Sequence, residues 1–221
     1  MSEVDEDIRL AVYRTFAARG IPPTPAELAQ VAGGSSARAK HALRRLADAH
    51  HVVLDVCDHV LMAHPFSAVP MGFSVMGAST LWWGGCAWDS FALPHVVPDE
   101  PEVLVATRCP ACDEPHAWVV GKDKPPAGSQ VAHFLVPMSK VWDDVVHTCG
   151  NQRIFCGRSC VDDWLGASGN DEGCVLDLPT LWRLASGWYE GRFEPGYRLR
   201  DPAKAAEYFA SVGLRGEFWG V

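Results

Sequence analysis

Cys86-Ala-Trp-Asp89 sets a thiol and a carboxylate three residues apart. On a helical turn such side chains share a face. Around them, the stretch from Val60 to Trp88 carries no Asp, Glu, Lys or Arg. An apolar setting penalises the charged form of a carboxylic acid. Asp89 is therefore expected to hold a proton at rest, or to exchange one with a thiol. The plainer alternative for Asp89 is a helix-cap or turn residue. Two more cysteine pairs have ligand-like spacing: Cys109-Pro-Ala-Cys112 and Cys156-Gly-Arg-Ser-Cys160. Tetrahedral zinc takes thiolates from two such turns, although the two pairs lie farther apart than in a usual finger. Without a metal these four would be ordinary buried or surface thiols. Cys57, in a turn, and Cys174, expected in a glycine-rich loop, read as bystanders. His95, His116 and His133 could serve as ligands or as loop and core histidines.

The elements that must position these groups fall in two parts. Residues 5–20 read as a helix with Ile8, Val12 and Phe16 on one face and Gly20 as its stop. Thr24, Pro25 and Glu27 form a capping box that opens a short second helix. Ser35 or Ser36 caps a third, carrying Ala39, Ala42, Leu43, Leu46 and Ala47. A hairpin follows, from Val52-Val53-Leu54 to Val60-Leu61-Met62. This is the order of a winged helix, so residues 1–64 are expected to form a winged-helix-like module. Residues 65–221 read as a second, mixed domain, and the fold class is α+β. Val103–Ala106, Ala117–Val120 and His133–Val136 are β-type runs expected to form a meander. Helices are expected near Val161–Leu165, over Leu178–Trp188 and over Ala203–Val212.

Composition narrows the function. The 221 residues include 8 cysteines and 9 tryptophans, are 48% hydrophobic, and carry a formal net charge of -8. At roughly 150 residues per domain, the length fits one large domain or two small ones. The acidity argues against nucleic-acid or anionic-membrane binding, despite Arg38, Lys40, Arg44 and Arg45 on the third helix. Prolines and glycines interrupt the uncharged Val60–Trp88 stretch, so it is expected to be core around a site and not a membrane span. The opening MSEVDEDIRL lacks the pattern of a signal peptide. A cytoplasmic location is therefore expected, with thiols kept reduced.

Cys86-Ala87-Trp88-Asp89 and Asp144-Val145-Val146-His147-Thr148-Cys149 resemble the two active-site segments of the organomercurial (alkylmercury) lyases. Ile154-Phe155 and Asp163-Trp164-Leu165 match the family's continuation, and Thr107-Arg108-Cys109 falls where a structural cysteine is usual. The resemblance implies a winged-helix-like N-terminal module and a mixed-sheet catalytic domain, with Cys86, Asp89 and Cys149 as the catalytic and mercury-holding residues. The Trp82-Trp83-Gly84-Gly85 lead-in, the additional thiols Cys112, Cys156 and Cys160, and the aromatic C-terminal segment are departures that mark a divergent branch.

The implied chemistry suits the residues. Mercury(II) is soft and prefers thiolates, so Cys86 and Cys149 can hold R–Hg by two sulfurs. Asp89 then passes a proton to the departing carbon by general acid catalysis. The products are a hydrocarbon and Hg(II), which small thiols or a mercuric reductase must remove. No organic cofactor is needed. Trp82, Trp83 and Trp88 are candidates to shape a pocket for the organic group. Two other readings stand beside this one. One is a soft-metal-binding protein of the same fold, for copper, zinc or mercury, or an enzyme on another thiophilic substrate. The other is a metal-responsive winged-helix regulator.

Overall fold

Local rules account for the helical start of the chain. The computed structural model describes all 221 residues. Helix α1 (Glu3–Arg19) opens on a capping box between Ser2 and Asp5 and stops at Gly20, at φ 73°. A Cβ at Gly20 would run into the carbonyl of Leu81, so glycine there serves both the left-handed stop and a close approach. Helix α2 (Pro25–Val31) has Pro25 in its first turn and a reciprocal Thr24–Glu27 box. Helix α3 (Ser36–Asp48) is capped by Ser35 and buries Ala39, Ala42, Leu43 and Leu46. Three of its four Lys/Arg cations are paired within the chain: Arg44 and Lys40 with Asp58, and Arg45 with Asp5.

Strands β1 (Val53–Leu54) and β2 (Val60–Ala63) form the next hairpin. This hairpin does not stand apart, because β2 also pairs with β3 (Phe66–Ser67). Strands β4 (Phe73–Met76) and β5 (Leu81–Gly84) follow, then helix α4 (Ala87–Val96), then β6 (Glu102–Arg108) and β7 (Pro115–Gly121). All seven strands make one antiparallel sheet in the order β1-β2-β3-β5-β4-β6-β7. Side chains alternate along β6: Val103, Val105 and Thr107 are buried, while Glu102, Leu104 and Arg108 are exposed, as one covered face requires.

The remaining elements are β8 (Val131–Phe134), α5 (Val145–Gly150), β9 (Gln152–Phe155), α6 (Arg158–Ser168), β10 (Cys174–Asp177), α7 (Leu178–Trp188) and α8 (Pro202–Ser211). The expected third meander strand, β8, leaves the large sheet. It lies between β10 and β9 in a second antiparallel sheet. Alternation within a strand identifies its buried face but not its partner, and the partners of β8 come later in the chain. Cys174 likewise lies in a strand and not a loop, opposite Phe134. Helix α4 is buried on every side from Ala87 to Pro94, which is the signature of an internal helix. One apolar core runs from Ile8 in α1 through α4 to Trp219. No helix is long and apolar enough to cross a membrane. The Val60–Trp88 stretch supplies β2 to β5 and the start of α4.

Candidate active site

Cys86 is the N-cap of α4. Its backbone is extended and its Sγ accepts a hydrogen bond from the Asp89 amide at 3.3 Å. Asp89 is thus the third residue of the helix, where thiol and carboxylate share one turn, as their spacing requires. The two glycines before Cys86 make this possible. A Cβ at Gly84 would run into Ser90 Oγ, and one at Gly85 would run into Asp89 Oδ2 and lie 2.8 Å from Met62 Cε. The unusual Trp-Trp-Gly-Gly lead-in therefore lets the first turn of α4 fold back onto β5. Cys149 comes from α5, whose start is fixed by Asp144: its Oδ1 accepts from the His147 amide at 2.9 Å.

These elements bring Cys86, Asp89 and Cys149 to one place. All three are buried, at 2%, 1% and 5% exposure, and all line one cavity of about 530 Å³. The Cys86 thiol, which accepts from the Asp89 amide, lines the same cavity as Cys149 and the Asp89 carboxyl. His64 joins them: its Nδ1 is 3.1 Å from Asp89 Oδ2, and its ligand atom, that of Asp89 and that of Cys149 lie within 4.8 Å of one another. Tyr189 donates its hydroxyl proton to Asp89 Oδ1. Behind them, the Arg192 guanidinium donates to the His64 carbonyl and to the Tyr13 hydroxyl, each at 2.9 Å, and lies over the Tyr189 ring.

The charge state of this group differs from the sequence expectation. Burial by itself pushes the Asp89 carboxyl up, but His64 and the Tyr189 hydroxyl outweigh it and hold Asp89 below its ordinary value. Burial also opposes a charged His64. The Asp89 carboxylate, with Cys149, overrides it and carries His64 up to about 8. At neutral pH the pair is imidazolium and carboxylate, so Asp89 is not a resting acid. Burial, the neighbouring Cys149 thiol and the Asp89 charge raise Cys86 well above an ordinary thiol.

The tryptophans are also redistributed. Trp88 lines the cavity, joined by Trp142, Trp188 and Trp219. Trp82 points the other way, donating Nε1–H to the Phe16 carbonyl at 2.9 Å, and Trp83 does not line the cavity. His95 packs against Trp182 and His133 meets the Glu172 carbonyl, so neither reaches the site. Sequence reasoning missed His64, Tyr189 and Arg192. A histidine inside an uncharged 60–88 stretch was a usable sign for His64. Nothing local marks Tyr189, 100 residues from Asp89.

The two spaced cysteine pairs meet elsewhere. The thiol sulfurs of Cys109, Cys112, Cys156 and Cys160 lie within 4.8 Å of one another, and all are free thiols. Trp164, from the Asp163-Trp164 segment, packs beside this region against Phe155 and His133. Cys57 is exposed, and Cys174 is half-buried.

A buried pair of thiols facing a carboxylate, in an aromatic cavity on an α+β frame, has the make-up of a protein that handles a soft metal or a thiophilic substrate. A sequence model of the alkylmercury lyases matches residues 66–190, more than half of the chain. The chain belongs to the alkylmercury lyase family. Its fold is similar to the crystal structure of the mercury-bound form of MerB2, with a TM-score of 0.61, 17% identity, and coverage of 84% of this chain and 96% of that one. No curated protein matches the chain.

Proposed function

We propose that the protein cleaves the carbon–mercury bond of an organomercurial, with Cys86 and Cys149 as mercury ligands and Asp89 as proton carrier. The observation that carries this reading is the convergence of two thiols on the Asp89 carboxyl in one cavity, with His64 Nδ1 at 3.1 Å from Asp89 Oδ2. In the proposed sequence, R–Hg⁺ enters the aromatic cavity and is bound by both sulfurs. Metal coordination deprotonates a thiol outright, which overcomes the resistance of buried Cys86 to ionise. The Asp89 carboxylate accepts one of the two protons released. Because His64 and Tyr189 favour the ionised form, Asp89 becomes a strong acid once loaded and gives its proton to the carbon as the bond breaks. R–Hg⁺ and two thiols thus yield R–H, a bis-thiolate Hg(II) and one proton. Small thiols draw off the Hg(II), and a mercuric reductase is its fitting recipient. In a reducing cytoplasm the thiols stay free and the activity confers mercury resistance.

We assign residues 1–64 as a winged-helix-like module that scaffolds the site in residues 65–221. What supports this role is the set of bonds it makes. His64 is its last residue. Arg9 donates to the carbonyls of Arg192 and Glu194 at 2.6 and 2.8 Å, and Tyr13 accepts from Arg192.

The test is hydrocarbon release from phenylmercury in excess thiol. Asp89→Ala should retain mercury and lose about 10²–10⁴-fold in rate, the usual worth of positioned proton transfer. Cys86→Ser and Cys149→Ser should abolish release, because a hydroxyl is a hard, protonated ligand. Full activity in Asp89→Ala, or normal cleavage by both serine variants, would overturn the assignment.

A further inference from the structure

We infer that Cys109, Cys112, Cys156 and Cys160 bind one zinc ion as a tetrathiolate that staples the large sheet to the small one. This site is separate from the mercury-cleaving reading and does not depend on it. Cys109 and Cys112 lie in the turn between β6 and β7, at the edge of the seven-stranded sheet. Cys156 and Cys160 lie where β9, an edge strand of the small sheet, passes into α6. Cys112 and Cys156 are 44 residues apart, yet their sulfurs stand 3.4 Å from each other.

The geometry suits a metal and not a disulfide. All four sulfurs lie within 4.8 Å of one another. A zinc ion about 2.3 Å from each sulfur sets the edges of the tetrahedron at roughly 3.8 Å. A disulfide needs about 2.05 Å. The first turn is wound as a ligand loop: the Cys109 amide donates to the Glu114 carbonyl and the Asp113 amide to the Cys109 carbonyl, each at 2.9 Å. Four thiolates on zinc leave two negative charges. His116 Nε2, 3.4 Å from the Cys156 sulfur, can donate to it.

The packing gives the staple a purpose. Cys109, Phe155 and Val161 form a small cluster apart from the main core. Three buried residues bury little apolar surface, and such regions are commonly held by a metal. The tetrathiolate donor set selects zinc over magnesium or calcium. Binding needs no redox step: four thiols lose four protons as the ion is taken up.

The test is elemental analysis of the full-length protein purified without chelator, with cobalt as a spectroscopic probe. One zinc per chain is expected, as is a cobalt-substituted protein with tetrahedral d–d bands and sulfur-to-cobalt charge transfer. Cys112→Ser and Cys156→Ser together should lose the zinc, whereas Cys86→Ser with Cys149→Ser should keep it. If the Cys112/Cys156 variant does not fold, the wild-type protein gives the same answer: thiol modification should release one zinc equivalent to a colorimetric chelator. Less than a tenth of an equivalent of zinc, iron in its place, a Cys112–Cys156 disulfide by mass spectrometry, or zinc lost only from the Cys86/Cys149 variant would each overturn the proposal. Hydrocarbon release reports separately on the mercury chemistry, so failure of one is distinguishable from failure of the other.

Discussion

Replacing His64 by Gln removes the imidazolium from Asp89 while leaving an amide of similar reach. In the folded chain the Asp89 carboxylate, acting against burial, carries His64 from 6.5 up to about 8. At 1.36 kcal/mol per unit, that rise corresponds to about 2 kcal/mol. His64 holds its proton to a higher pH folded than unfolded, so its contribution is complete below pH 6.5 and lost as the pH rises through about 8. Asp89 behaves oppositely. Its carboxyl is depressed from 3.8, so its contribution is present above that value and lost as the pH falls through the folded value. Thermal melts of the two proteins should therefore differ most near pH 6. About 2 kcal/mol corresponds to roughly 4–8 °C in Tm for a chain of this size, and the gap should close by about pH 9, a unit above the His64 value. In the rate profile of hydrocarbon release, the alkaline fall near pH 8 should disappear in the variant. The acid limb should move to higher pH, because burial now acts on Asp89 without the imidazolium that opposed it. A Tm difference that is the same at pH 6 and pH 9, together with superimposable rate profiles, would refute the ion pair and its role.

Two smaller changes probe the same site. Tyr189→Phe removes the hydroxyl that donates to Asp89 Oδ1. Hydrogen bonds to charged groups are worth about 1.5–3 kcal/mol, so release at neutral pH should fall at least ten-fold; an unchanged rate would show that Asp89 does not rely on it. Gly85→Ala puts a methyl group into Asp89 Oδ2 and against Met62 Cε. Overpacking of this kind costs about 1–3 kcal/mol, so calorimetry should show a lower Tm and the rate should drop with it; a wild-type melt would mean that β5 and α4 can separate freely.

Much of the helical framework could be read along the chain. Ser2, Thr24 and Ser35 each accept from an amide three residues on, so these helix starts depend on neighbours in sequence. The same is true of Cys86 and Asp89, whose contact is one helical turn and whose spacing follows from that. The strand runs at β6 and β7 were legible as short β-type runs between Pro, Gly and Asp clusters, but the sheet to which β8 belongs was not. Its partners β9 and β10 are distant in the chain, and pairing is decided by which edges meet. The organisation of the tryptophans was equally out of reach, since Trp88 lines the cavity while Trp82 donates to the Phe16 carbonyl of α1.

The sequence by itself determined that a thiol and a carboxylate would share a turn, that two cysteine pairs have ligand-like spacing, and that the chain is an acidic α+β protein resembling the alkylmercury lyases. Tertiary structure alone decided the charge on Asp89. An uncharged surrounding sequence pointed to a protonated acid, yet His64 and Tyr189, brought from 25 and 100 residues away, make it a carboxylate. The reason is that burial is a property of the neighbourhood as a whole, whereas a single imidazolium at 3.1 Å acts through a short distance in a medium that screens little. Which residue supplies that neighbour is fixed only when β2, α4 and the end of α7 pack together.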